Sequence, residues 1–277
     1  MKARDIPGAV SRYVDANGVN THCYETGAGE AIILLHGGGA GADSFGNWRG
    51  CLSAFAEHFH VYAIDMVGFG FTDKPDPSEY SYTQQARNDH IIAVIETLGL
   101  APVSLVGNSM GGCTSMGVAV ERPDLVNKLV LMGSAGVHAP ITDELKAIMN
   151  YDYTTDGMVR IVRGLTNPDF EYDDELINYR HGLSIREDTK RAYNAVMGRI
   201  RDQGGLYYED EYMARISHNT LVVNGKLDKV VPLSSAYRLL ELIEHSWGYI
   251  IPACGHWAMI EKPAEFTAAS LSFLQNC

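Results

Sequence analysis

Ser109 stands in Gly107-Asn108-Ser109-Met110-Gly111, a Gly-x-Ser-x-Gly run extended by Gly112. The apolar run Val103 to Val106 leads into it and helical text follows, so the serine is expected on a sharp strand-to-helix turn. Such a turn demands small neighbours, because a β-carbon on either side would meet the passing backbone. A hydroxyl is a poor nucleophile at neutral pH and needs a base. His256, in Gly255-His256-Trp257 after the apolar run Tyr249 to Ile251, is the candidate base. Asp228, just beyond the run Thr220 to Val223, is the candidate acid that fixes the imidazole's tautomer. Each residue alone is weak evidence, since a serine between glycines is most often only a turn. Together, in the order Ser, Asp, His and each after a strand, they read as nucleophile, orienting acid and base on an α/β sheet.

Acyl chemistry also needs donors for a developing oxyanion. Ile32 to Leu35 followed by His36-Gly37-Gly38-Gly39 supplies a strand and a turn whose backbone can approach a ligand at Gly37, Gly38 and Gly39. The N–H of Gly38 is the first expected donor and that of Met110, at a helix start, the second. The same glycines, read as Gly37-x-Gly39-x-x-Ala42 with Asp65 closing the next strand, formally match a dinucleotide fingerprint. That reading leaves Ser109, Asp228 and His256 unexplained, so no dinucleotide is expected. His58 and His60 lack any His or Cys neighbour at ligand spacing, and no metal is expected either.

The elements that must position these residues follow from the hydrophobic pattern. Asn17-Gly18 between short alternating segments predicts an opening antiparallel hairpin. Buried parallel strands are expected at Ile32 to Leu35, Val61 to Ile64, Val103 to Val106, Leu129 to Met132, Leu221 to Val223 and Tyr249 to Ile251. Helices are expected at Gln84 to Leu98, after Thr83 as N-cap, and at Pro263 to Leu274. This alternation predicts a doubly wound, mostly parallel α/β sheet. From about Val137 to Met213 the pattern turns helical, charged and tyrosine-rich, and is read as an inserted lid. The expected division is 1–136 core, 137–213 lid and 214–277 core.

Composition limits the partners. The chain has 277 residues, 46% hydrophobic and 20% charged, with 22 Lys plus Arg against 34 Asp plus Glu, a net charge of −12. A surface this acidic repels phosphate backbones, so nucleic acid is not an expected partner. An anionic substrate would need a specific local cation. The five cysteines are scattered, no signal-like run opens the chain, and no stretch is apolar enough for a membrane span. A cytoplasmic protein that engages no membrane is expected.

The chain resembles the meta-cleavage product hydrolases, the carbon–carbon bond hydrolases of aromatic catabolism, above all those of the carbazole, dioxin and biphenyl pathways. The resemblance rests on Gly37 to Ala42 leading to Asn47-Trp48, on Gly107 to Gly112, on Gly133-Ser134-Ala135-Gly136, and on Gly255-His256-Trp257-Ala258 with Glu261. Lid text such as Asn150 to Tyr153 and Gly204 to Tyr208 is more similar to the carbazole-pathway enzymes. The resemblance implies an α/β-hydrolase fold with no cofactor. It implies hydrolysis of a 2-hydroxy-6-oxo-6-aryl-hexa-2,4-dienoate to 2-hydroxypenta-2,4-dienoate and an aromatic carboxylate, after a dienol-to-keto shift. It also implies that Arg180, in Asn178-Tyr179-Arg180, grips the dienoate carboxylate. Asn47, Asn108, Trp257 and Ser134 match pocket positions of the family, and a homo-oligomer, dimer or higher, is expected. A plain carboxylesterase with the same three residues is the alternative. Haloalkane dehalogenases and epoxide hydrolases use an aspartate where Ser109 stands, and a binding protein without activity would be expected to lack one of the three.

Overall fold

A computed structural model describes residues 1–277. The chain opens with β1 (Val10–Ala16) and β2 (Val19–Gly27), joined at Asn17 and Gly18 with φ of 55° and 82°, the left-handed pair that closes a two-residue hairpin. Then follow β3 (Ala31–Leu35), α1 (Ser44–Trp48), α2 (Leu52–Ala56), β4 (His60–Ile64), α3 (Gln84–Leu98), β5 (Val103–Asn108), α4 (Met110–Glu121) and β6 (Val126–Met132). Between β6 and the next strand lie α5 (Asp143–Met149), α6 (Thr155–Leu165), α7 (Asp174–Ser184), α8 (Glu187–Gln203) and α9 (Asp210–Met213). The chain closes with β7 (Thr220–Gly225), α10 (Leu233–Leu242), β8 (Ser246–Ile251), α11 (Ala258–Glu261) and α12 (Pro263–Asn276).

The eight strands form one sheet in the order β1-β2-β4-β3-β5-β6-β7-β8. β2 runs antiparallel to both β1 and β4, and every other pair is parallel. All residues of β5 and of β7 are buried, the signature of strands covered on both faces. The apolar-run criterion finds only the buried parts of other strands. β6 begins three residues earlier, with exposed Asn127, and β8 begins at Ser246 because Trp247 to Tyr249 lie exposed on an edge strand. α3 spans the expected residues: Thr83 accepts the Ala86 N–H at 3.1 Å, and Gly99, at φ 64°, ends the helix in the left-handed region.

The regular elements of the insert between β6 and β7 are all helices, apart from an isolated bridge between Gly136 and Tyr207. Within α8, Thr189, Ala192, Tyr193, Val196, Met197 and Ile200 are buried. Their spacing of three and four residues puts one apolar stripe against the core.

Glycine spacing along the sheet's working edge is set by contact. A β-carbon on Gly107 would lie 2.5 Å from Gly111 O and from Gly112 N. Gly198, inside α8, has no atom within 4 Å of where its β-carbon would stand. Gly107→Ala should therefore cost about 3 kcal/mol or more of stability through overpacking. Gly198→Ala should add about 0.5–1 kcal/mol through helix propensity. Opposite shifts of the urea midpoint check both.

Candidate active site

Ser109 sits between β5 and α4 with φ 54° and ψ −114°, outside the regions an L-residue normally occupies. The strain is held from all sides. Ser109 N–H donates to Met132 O at 3.0 Å, and its carbonyl accepts from Cys113 N–H at 3.0 Å and Ala135 N–H at 3.2 Å. The flanking glycines make the turn possible: a β-carbon on Gly111 would press on the Leu35 and His36 carbonyls, and one on Gly112 on the Ser134 hydroxyl.

His256 is buried, and its Nδ1 donates to Asp228 Oδ2 at 2.7 Å. Asp228 Oδ1 accepts from the N–H groups of Val230 at 2.8 Å and Val231 at 2.9 Å. With Nδ1 carrying the proton, Nε2 is left with a lone pair able to accept one. Gly133, at φ 50°, leaves the room this pair needs; a β-carbon there would stand 3.0 Å from His256 Nδ1 and 3.2 Å from Asp228 Oδ2. Ser109 Oγ and His256 Nε2 do not form a hydrogen bond, yet both residues line the same cavity. Such bonds often tighten only when the reacting group is in place.

The glycine loop after β3 is fixed by His36. Met66 N–H donates to its Nε2 at 3.0 Å, so the ring proton is on Nδ1, which donates to Gly37 O at 2.8 Å. Burial pushes the His36 pKa down, keeping the ring neutral as both bonds require. Gly38 N–H makes no hydrogen bond within the protein, and Met110 N–H, first in α4, has no acceptor inside its helix. Both residues line the cavity beside Ser109. A β-carbon on Gly38 would lie 2.9 Å from Met110 Sδ, so only glycine lets the two approach. The cavity, of about 970 Å³ with its mouth, has 29 lining residues of which 16 are hydrophobic. That lining suits an aromatic or hydrocarbon ligand with a few polar anchors.

Residues 30–263 match the family described as the α/β hydrolase fold. The chain is 52% identical to the 2-hydroxy-6-oxo-6-(2'-aminophenyl)hexa-2,4-dienoic acid hydrolase of Metapseudomonas resinovorans, over 96% of this chain and 91% of that one. The chain belongs to the meta-cleavage product hydrolases of the α/β-hydrolase family. It is also 34% identical to the 2-hydroxy-6-oxo-2,4-heptadienoate hydrolase of Pseudomonas putida, covering 98% of each. Among solved structures, a serine hydrolase involved in carbazole degradation superposes with a TM-score of 0.89 at 50% identity, over 96% of this chain and 99% of that one.

Within this family frame, the residues expected around the pocket divide into free and engaged. Arg180, on α7, is buried in the cavity wall with its guanidinium 4.7 Å over the Trp257 ring. Its Nη2 donates to Ala40 O at 2.9 Å, while Nε and Nη1 have no partner. Burial lowers its pKa to about 10, so it stays charged at neutral pH. Asn108 donates to Met132 O at 3.1 Å, and its Oδ1 takes a long 3.4 Å bond from Asn47 Nδ2. Asn47 Oδ1 is buried without a partner. Ser134 is spent on Ala135 O at 2.7 Å. Gly37, Gly39 and Trp257 line the cavity.

Three residues outside the expected set support the site. Asp43 caps α1 by accepting Gly46 N–H at 2.7 Å, accepts the Tyr179 hydroxyl, and adds a negative charge near Arg180. Its place as N-cap before Ser44-Phe45-Gly46 was the readable signal; its partnership with the insert was not. Gly133 makes room for the His256–Asp228 pair. Glu261 accepts from Gly255 N–H at 3.0 Å, Trp257 N–H at 3.2 Å and Asn167 N–H at 2.7 Å, clamping the His256 loop to the insert. His256 N–H itself donates to Leu165 O at 2.8 Å. The Asp65 of the dinucleotide match is consumed by His22, Ser44 N–H and Phe71 N–H, and His60 pairs with Glu25. Glu261→Gln places an amide N–H₂ among N–H donors, so it should lower the urea midpoint by about 1–3 kcal/mol of stability. The rate at which p-nitrophenyl acetate acylates Ser109 should fall about tenfold as the His256 loop loosens.

Proposed function

We propose that the chain hydrolyses the C–C bond of a 2-hydroxy-6-oxo-6-aryl-hexa-2,4-dienoate, giving 2-hydroxypenta-2,4-dienoate and an aromatic carboxylate. The observation that carries this reading is Arg180, a buried cation with two unpaired donor nitrogens in the wall of the cavity that holds Ser109. A planar guanidinium grips a carboxylate with two parallel bonds, and its isolation from solvent makes the match selective. The largely apolar remainder of the cavity suits the aryl end. The names of the relatives agree with such a substrate, the one at 52% identity being named for a dienoic acid that carries an aminophenyl group.

In the proposed sequence, His256 first helps move the dienol proton to carbon, so that the leaving fragment can accept the electron pair. Ser109 Oγ then attacks the ketone carbon while its proton passes to His256 Nε2 and the oxyanion is held by Gly38 and Met110 N–H. Collapse breaks the C–C bond, the electron pair passes through the conjugated chain to the 2-oxo oxygen, and that oxygen takes the proton from His256 to give the 2-hydroxydienoate. Water, deprotonated by His256, cleaves the aroyl-serine. Asp228 holds the imidazole throughout, and residues 137–213 serve as the lid that excludes bulk water.

An esterase with the same three residues has no use for a buried arginine that keeps two donor nitrogens without partners, which is why the dienoate reading stands first. We further take the enzyme to be a cytoplasmic homo-oligomer; the exposed Trp247 and Tyr249 on edge strand β8 support self-association.

Purified protein should bleach the yellow 6-phenyl dienoate, and Ser109→Ala should lose about 10³-fold or more in kcat. Arg180→Gln should raise KM tenfold to about a hundredfold, the worth of one charge-assisted pair. No bleaching alongside Ser109-dependent turnover of p-nitrophenyl esters would replace the reading with a plain esterase.

A pH effect follows from Asp43. Burial, reinforced by Asp65, pushes its carboxyl pKa up to about 7, so it is neutral below that pH and charged above it. The charge that appears above this value offsets that of Arg180 and weakens its hold on the dienoate. KM should rise about threefold to tenfold as pH passes upward through 7, and Asp43→Asn should flatten the profile.

A further inference from the structure

Ile200, near the end of α8, and Leu206, in the loop after it, line the catalytic cavity on one side and a second cleft on the other. That cleft, of about 600 Å³ with its mouth, lies between the start of α3 and the end of α8. Apart from Ile200 and Leu206 its lining is polar: Thr83, Gln84, Arg87, Arg199, Asp202 and Gln203.

Arg87 is the unusual member. It is 2% exposed, and no carboxylate accompanies it. Its Nη1 donates to Tyr82 O at 3.2 Å and its Nη2 to Gln84 Oε1 at 2.9 Å, while Nε is buried with no partner. The groups close enough to act on its charge are Cys113, Tyr208 and Tyr80, all neutral at physiological pH. A buried cation without a counter-ion is costly, and an anion from outside removes the cost. Three further features favour an anion here. Arg199 is exposed and engaged in no ion pair, leaving it free at the mouth. α3 is 15 residues long and directs its first N–H groups toward its N-terminal end, where Thr83 Oγ1 caps only Ala86. The one acid in the lining, Asp202, is exposed to solvent.

We propose that this cleft is a second ligand site, which binds an aromatic carboxylate with its acid group at Arg87 and Arg199 and its ring on Ile200 and Leu206. The paired requirement, cations at one end and two apolar side chains at the other, excludes a bare inorganic anion as the best fit. The choice of acid rests on the proposed reaction, whose aromatic carboxylate product is formed on the far side of the same two side chains. The cleft is then where that product pauses after leaving the cavity.

The test is a titration with 3-fluorobenzoate followed by fluorine NMR. Wild type should show two sites, and Arg180→Gln, which removes the cation of the catalytic cavity, should keep one. Adding Arg199→Glu to Arg180→Gln should weaken the remaining site about tenfold, from reversal of one partly screened charge. Because Arg199 is exposed, this variant tests the site without threatening the fold; Arg87→Met, buried, should abolish binding and is read only if its urea midpoint shows it folded. Acetate, which has no ring, should displace fluorobenzoate at least tenfold less well. Absence of binding to Arg180→Gln, indifference to Arg199→Glu, or equal competition by acetate would each overturn the proposal. Turnover of the 6-phenyl dienoate by wild type is read separately: its failure would sink the reaction while leaving the binding result to stand or fall by itself.

Discussion

The structure depends on one strained residue. Ser109 can hold φ 54° only because the turn between β5 and α4 is pinned to the end of β6 by two backbone hydrogen bonds, closed by a third from Cys113 in α4, and pressed against the Leu35 and His36 carbonyls through Gly111. Backbone strain of this kind persists where the surroundings over-determine it. The order of the sheet, with β5 between β3 and β6, is what brings both supports to the same place. The β3 side also carries the glycine loop with its Gly38 N–H, and the β6 side carries Gly133, which admits the His256–Asp228 pair. The proposed nucleophile, oxyanion donors and base are thereby assembled from adjacent strand ends, the position where open α/β sheets bind ligands.

The insert contributes chemistry as well as cover. Its Arg180 lies over Trp257 of the core, its Tyr179 donates to Asp43, its Asn167 meets Glu261, and its Leu165 carbonyl receives the His256 N–H. Three of these contacts join the insert to the segment around His256, and the fourth, Tyr179 to Asp43, joins it to the segment after β3. Placement of the insert and order of the site are thus one problem, because a buried polar group that loses its partner costs about 1–3 kcal/mol. Two groups escape this rule inside the cavity, Arg180 and Asn47, and both belong to the wall that faces a ligand.

The molecule also shows why residue types alone do not make a nucleophile. Ser11 lies 2.9 Å from His22 Nε2, and His22 Nδ1 lies 2.8 Å from Asp65 Oδ2. This is the same succession of groups as Ser109, His256 and Asp228. Ser11, however, sits in the regular ladder of β1 opposite Tyr24, with no strained turn and no helix starting behind it. Asp65 is shared among His22 and the N–H groups of Ser44 and Phe71, which tie three loops together. Burial alone would raise its pKa, but the bond and charge of His22 hold it low. That cluster organises the β1–β2–β4 end of the sheet, whereas the one at Ser109 faces a cavity that Gly38 and Met110 also line.

Local physics made much of this legible in one dimension. Hydrophobic period and length mark the buried strands, Thr83 and Gly99 mark α3, and Asn17-Gly18 marks the hairpin, since each signal is exerted within a few residues. Ser109, Asp228 and His256 are readable because each follows a strand and the glycines around the serine answer to local backbone crowding. The edge strand β8 was shortened, because exposure on one face removes the apolar signal. Asp43, Gly133 and the role of Glu261 were not legible, because their partners lie across the fold: Asp43 and Tyr179 are 136 positions apart in sequence, and Glu261 and Asn167 are 94 apart. Arg180 could be named through likeness to a family, but its two unpartnered donor nitrogens, and the one on Arg87, exist only once packing has excluded water. The sequence carries what neighbouring residues dictate to one another, and the folded chain alone settles which polar groups are buried and left without a partner.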